Sequence, residues 1–128
     1  TKIIYFSINY DGLFRFYPNH KLDNKVLSLF NFDQKSEKAN NLKAVGPDCS
    51  NIIYKYFIKT HKTYLINSNW DKIENKKFQL MFLDFCTNVI KKHGKENFSE
   101  WLAFRKQNIY DNKSKLTVFN KDFLALKV

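Results

Sequence analysis

Residues 2–17 alternate in character. Ile4, Phe6 and Ile8 point one way while Ile3, Tyr5 and Ser7 point the other, which is the two-residue period of a strand. Asn9-Tyr10-Asp11-Gly12 supplies a turn in which the glycine can take positive φ, and residues 13–17 resume the alternation. The expectation is a β-hairpin ended by Pro18, which has no N–H to give to a ladder. From Leu22 the period lengthens. Leu22, Val26, Leu29 and Phe30 fall at helical spacing and predict a helix over residues 22–32. The polar stretch 33–41 extends that helix or forms an exposed loop, and Gly46-Pro47-Asp48 punctuates the chain.

A second hairpin is predicted next. Ile52, Tyr54, Tyr56 and Ile58 share one face of a strand, with Ile53, Lys55, Phe57 and Lys59 on the other. Thr60-His61-Lys62 turns the chain, and residues 63–66 pair back. Apolar residues on both faces suit a central strand covered by helices. Residues 67–75 read as a polar connection containing Trp70. The strongest helical signal covers 76–92: Phe78, Met81, Phe82, Phe85 and Val89 make one stripe, widened by Leu80, Leu83, Cys86 and Ile90. Asn75 is placed to cap its start, Lys91, Lys92 and His93 suit the negative end of its dipole, and Gly94 ends it. A shorter helix over 98–106 packs Trp101, Leu102 and Phe104, with Asn97 and Glu100 at capping-box spacing. Residues 115–119 and 123–128 form a last hairpin around Asn120-Lys121-Asp122. The pattern predicts an α+β fold, a mostly antiparallel sheet of about five or more strands with helices packed on it. It forms one domain over residues 1–128, in which the 78–89 stripe buries against Ile4, Phe6, Ile53 and Phe57.

Composition narrows the class. With 128 residues, 44% hydrophobic and 17% aromatic, the chain is too apolar to be disordered and long enough for a core. Two Cys, three Gly and two Pro exclude a disulfide-dense or Pro-rich scaffold. Cys49 and Cys86 read as buried thiols, with a disulfide between them as the alternative. The net charge is +10, but of the 22 Lys and Arg only Arg15 and Arg105 are Arg. The charge is spread evenly along both halves, so it reflects either compositional drift or attraction to nucleic acid or an anionic membrane surface. No apolar run approaches the ~18 residues of a membrane span. The opening residues turn too soon for a signal peptide, and a cytoplasmic protein is expected.

No catalytic constellation emerges. His20, His61 and His93 lack metal-ligand spacing and read as solvent-facing or capping. Asp11, Asp48, Asp111 and Asp122 sit at turn signals, and Asp84 interrupts the apolar helix at what reads as its exposed edge. Three glycines at 12, 46 and 94 build no phosphate loop. No catalytic, cofactor-binding or metal-ligating residue is assigned, and no cofactor is expected. Lys and aromatics alternate in Ile52-Ile53-Tyr54-Lys55-Tyr56-Phe57-Ile58-Lys59, but as a strand this places Lys55 opposite the tyrosines, unlike a stacking platform.

The stretch Lys2-Ile3-Ile4-Tyr5-Phe6-Ser7-Ile8-Asn9, its turn at Asp11-Gly12 and its continuation Leu13-Phe14-Arg15-Phe16-Tyr17 together resemble the opening of longin proteins, above all the small chains of vesicle-coat adaptor complexes. Ile52-Ile53-Tyr54-Lys55-Tyr56-Phe57 is similar to a strand of that family, and residues 78–86 to its long second helix. The resemblance implies a five-stranded sheet with helices, no catalysis, and a scaffold role in membrane traffic. Partner subunits, trafficking determinants or small GTPases would be the contacts. The expected function is a non-enzymatic protein-interaction module, longin-like, working in trafficking or complex assembly through a sheet edge or helix, with a protein partner or a larger complex. The alternative is a nucleic-acid-binding domain using dispersed lysines, with Lys55, Lys59, Lys62, Lys91 and Lys92 as contacts.

Overall fold

The structure, a computed structural model, describes residues 2–39 and 42–128. Its elements in chain order are β1 (Ile3–Ile8), β2 (Phe14–Tyr17), α1 (Asp23–Gln34), β3 (Glu37–Ala39) and β4 (Leu42–Lys43). A single 3₁₀ turn (Gly46–Asp48) leads into α2 (Cys49–Phe57), then β5 (His61–Asn67), β6 (Trp70–Ile73), α3 (Lys76–His93), α4 (Ser99–Tyr110), β7 (Lys115–Val118) and β8 (Lys121–Lys127). The fold is α+β, with two three-stranded antiparallel sheets ordered β1-β8-β5 and β2-β7-β6 and helices packed on them. β3 and β4 pair separately. Of the stretch 33–41, helix α1 takes the first two residues and β3 the next structured ones, while Asn40 and Asn41 lie outside the described residues.

The strands at 3–8 and 14–17 are where alternation predicts them, but they form no hairpin with each other. β1 pairs with β8 and β2 with β7. The reason lies between them. Tyr10 and Gly12 both take positive φ, 68° and 88°, and the linker bonds across to residues 119–120 instead of reversing. Asp11 N–H donates to Phe119 O at 2.6 Å, Phe119 N–H to Leu13 O at 3.0 Å, and Tyr10 N–H to the buried Asn120 Oδ1 at 2.6 Å. A Cβ on Gly12 would stand 2.9 Å from Pro47 Cβ, so the close approach as well as the φ requires glycine. The same interruption falls between β7 and β8, where only Phe119 and Asn120 intervene, and between β5 and β6, where Ser68 N–H donates to Asn120 O at 3.0 Å. The expected last hairpin is therefore two successive strands in different sheets, and Lys121 and Asp122 belong to β8, not to a turn.

Residues 52–59 are not a strand. Cys49, Ile53 and Phe57 stand at i, i+4 and i+8 and pack from α2 onto the small core of Ile8, Phe123 and Ala125, with Ile4 and Leu65. Apolar residues at every parity fit either period, and here the helical one wins because Gly46-Pro47-Asp48 opens a helical turn. The predicted 63–66 strand exists as β5, with β8 as its partner. Residues 67–75, read as a connection, contain β6.

α3 runs as predicted, capped by Asn75 Oδ1 accepting from Phe78 N–H at 2.8 Å. It ends at Gly94, where an added Cβ would meet Ile90 O at 2.6 Å. Its buried line is Gln79, Phe82, Leu83, Cys86 and Val89, whereas Met81 and Phe85 are 45% and 49% exposed. The expected stripe is thus rotated outward on one side. Nor does it meet Ile4, Phe6, Ile53 and Phe57. Phe82 packs against Phe14, Phe16 and Phe30 with ring centroids 4.9, 6.2 and 5.7 Å away, in a larger core under the β2-β7-β6 sheet. Asp84 is exposed, as expected. Cys49 and Cys86 are both free. α4 is longer than predicted, and Asn97 Oδ1 accepts from Ser99 N–H at 2.9 Å while Glu100 turns to His20 instead of completing a capping box.

A buried thiol and a half-buried phenol set an alkaline limit. Burial pushes the Cys86 thiol above its ordinary 9.0 and the Tyr10 phenol above its ordinary 10.0. Both folded values lie above the unfolded ones, so their contribution is complete below about pH 9 and is lost as pH rises. Unfolding free energy should fall by up to about 1.4 kcal/mol per pH unit for each group once its unfolded form ionises. Urea titrations at successive pH values check this. Cys86→Ala should remove the part of the slope that begins first, and a flat profile through pH 10 would contradict it.

Candidate functional site

β2 is an edge strand, and its free side opens into a groove of about 420 Å³ walled by the first half of α1. Residues 13–17 line one wall, Asp23, Asn24 and Leu27 the other, and Asn19 and His20 close one end. Because Leu13 O faces β7 and bonds Phe119 N–H, alternation turns Arg15 and Tyr17 backbone groups toward β7. The N–H and C=O of Phe14 and Phe16 turn outward to the groove. Their side chains meanwhile are buried in the core, which fixes the edge rigidly. An edge of this kind is an unpaired template for another strand.

Beneath the groove end lies a connected polar cluster. Arg105 is 0% exposed. Its Nη2 donates to Asp23 Oδ1 at 2.8 Å and its Nη1 to Pro18 O at 2.6 Å, while Trp101 Nε1 donates to the same Asp23 oxygen at 2.8 Å. The guanidinium lies 5.0–5.8 Å from the rings of Phe104, Phe16 and Trp101. Burial lowers its pKa from the ordinary 12.5, and Asp23 opposes that shift. Asp23 Oδ2 accepts from His20 N–H at 2.7 Å. His20 Nδ1 accepts from Leu22 N–H at 3.1 Å, which directs its Nε2 proton to Glu100 Oε1 at 3.5 Å. Asp23 thus accepts from three donors and ties α1, α4 and the 18–20 segment together. What the groove has to offer a ligand is the Phe14 and Phe16 backbone, the Asn19 and Asn24 amides, Arg15 and Tyr17.

His20 and His93 are not solvent-facing. His20 is inside this cluster, and His93 Nε2 stands 2.8 Å from Asp33 Oδ1 between α3 and α1. Among the described residues no group of His, Cys, Asp and Glu is arranged to hold a metal ion, and no helix is long and apolar enough to cross a membrane. The five lysines singled out from the sequence fall in two places. Lys55, Lys59 and Lys62 are exposed on α2, the turn after it and β5, with Lys62 Nζ 5.7 Å from the Tyr64 ring centroid. Lys91 and Lys92 are exposed in the last turn of α3, where Lys92 Nζ is 3.4 Å from Asp33 Oδ1.

A second surface is notable for its greasiness. The face of the β1-β8-β5 sheet away from α2 carries Ile3, Tyr5, Tyr64 and Ile66, all exposed, around the half-buried Leu124 and Leu126. Asp122 on that face accepts from both Tyr5 Oη and Ser68 Oγ, so its charge is already engaged.

The α4 stripe carried a readable clue to Arg105, since Trp101, Arg105 and Ile109 share one face at i, i+4 and i+8. The groove carried none, because the hairpin reading hides the β2 edge. No protein-family model matches the sequence, and no curated protein matches it.

Proposed function

We propose that this chain is a non-enzymatic protein-interaction module that takes an extended segment of a partner along the free edge of β2. One observation supports the reading above the rest: the outward Phe14 and Phe16 backbone groups open into a groove of about 420 Å³ between the free edge of β2 and α1. Strand addition draws its affinity from main-chain hydrogen bonds and its specificity from alternate side chains. Arg15 on the edge and the +10 charge of the chain favour a segment with acidic residues. The longin likeness implies the same class of role, contacts without catalysis in trafficking or complex assembly, and stands as a proposal on the sequence pattern of α3, since the opening strands it was drawn from lie in two different sheets. Its third stretch, residues 52–57, is helical here.

The test is selection from a displayed library of acidic ten-residue peptides, followed by amide hydrogen exchange on the complex. Selected peptides should protect the Phe14 and Phe16 amides. Asn24→Trp, an exposed change on the α1 wall, should fill the groove and weaken binding by about tenfold or more, the worth of one or two main-chain hydrogen bonds. Equal binding to that variant, or protection confined to other strands, would refute edge docking.

A further inference from the structure

The outer face of the β2-β7-β6 sheet carries a cluster that edge docking does not explain. Lys72, Lys113 and Lys115, with Tyr17, Pro18 and Asn108, line a concavity of about 460 Å³. Three separate segments bring the lysines there: β6, the turn after α4, and β7. The pairing of β6 with β7 slips in register between Trp70 and Ile73, and Lys72 sits within that bulge at φ 49°. Bulges redirect side chains, and left-handed backbone in a lysine is costly and uncommon. The bulge is fastened by Lys72 N–H donating to Thr117 Oγ1 at 3.1 Å, whose hydroxyl donates to Asp71 Oδ1 at 2.9 Å.

Lys115 has Glu74 at 3.3 Å, an exposed pair. Among the described residues neither Lys72 nor Lys113 has a carboxylate in ion-pair reach. Arg15 Nη1 donates to Tyr17 Oη at 3.4 Å, which leaves the phenol proton free to donate. The lining therefore offers Lys72 and Lys113 without a counter-charge, Lys115 beside Glu74, and the Tyr17 hydroxyl as a neutral donor.

We propose that this concavity binds a phosphate monoester. A phosphate near −2 with three acceptor oxygens matches that set, whereas one carboxylate would leave the cations undercompensated. The concavity shares Tyr17 with the β2 groove, so a phosphorylated segment laid along β2 would end in it. That extension rests on the edge reading, while phosphate recognition stands apart from it.

Calorimetric titration of the full chain with phenyl phosphate tests the pocket alone. Lys72→Gln/Lys113→Gln should weaken binding by about tenfold or more. Lys55→Gln/Lys59→Gln, with the same charge change elsewhere, should leave it nearly unchanged. Affinity should rise as the phosphate takes its second charge near pH 6. Equal losses in both variants, no binding of phenyl phosphate, or tighter binding of an oligonucleotide without terminal phosphates would each overturn the proposal. A phosphoserine peptide and its unphosphorylated twin, both of a sequence selected for the groove, separate the sources. A peptide that gains from its phosphate supports a docked segment. Phenyl phosphate binding with no such gain keeps the pocket and assigns it a small phosphorylated molecule. Peptide binding without phenyl phosphate binding keeps the edge reading and removes the pocket.

Discussion

Asp23→Ala is expected to lower the unfolding free energy by about 3–5 kcal/mol, the cost of leaving a buried cation without its counter-charge. Arg105 is fully enclosed, its Nε already lacks a partner, and Asp23 is the carboxylate that faces it. Removing Asp23 also orphans Trp101 Nε1 and the His20 N–H. Arg105→Met should cost less, because the Asp23 side chain is 28% exposed and water can solvate it. The double variant should be more stable than Asp23→Ala alone, since an apolar side chain among Phe16, Trp101 and Phe104 leaves no charge to compensate. Urea unfolding of the three variants checks the order. A cost under about 1 kcal/mol for Asp23→Ala would mean that water reaches the guanidinium.

Phe82→Ala should also cost about 3–5 kcal/mol, through lost burial plus the cavity left among Phe14, Phe16 and Phe30. The informative comparison is Phe85→Ala, three residues on and half exposed, which should cost under about 1 kcal/mol. From sequence alone the two phenylalanines are equivalent members of one stripe. Similar losses for both would put the core-facing line of α3 where the sequence placed it and not where the structure does.

That comparison indicates what the sequence could convey. α3 was legible because its apolar residues recur at one period between Asn75 and Gly94, α1 from the spacing of Leu22, Val26, Leu29 and Phe30, and α4 from Trp101, Leu102 and Phe104 after Asn97. β1, β2, β5, β7 and β8 were legible from two-residue alternation. Pairing was not. A short linker containing Asp11-Gly12 looks like a hairpin turn, and only the distant Phe119 and Asn120 decide that it crosses between sheets. α2 was missed because Ile52, Ile53, Tyr54, Tyr56, Phe57 and Ile58 satisfy both periods, and β6 because Trp70-Asp71-Lys72-Ile73 is short, mostly exposed and bulged. The β2 groove and the lysine concavity inherit those failures, since each depends on which strand lies beside which. The buried Arg105 differs: its place in the Trp101–Ile109 stripe was visible, but its partner Asp23, 82 residues away, was not.

β7 and β8 occupy the middle of both sheets, yet every other strand precedes them in chain order. During synthesis, β1, β2, β5 and β6 must leave the ribosome as outer strands with no centre to join. At ordinary elongation rates that wait lasts on the order of ten seconds from the first strand. Ile3, Tyr5, Phe14, Phe16, Tyr64 and Ile66 spend it open to neighbouring nascent chains. Residues 115–127 then close both sheets in one late, long-range step, the kind of topology that folds slowly and leans on chaperones at high expression.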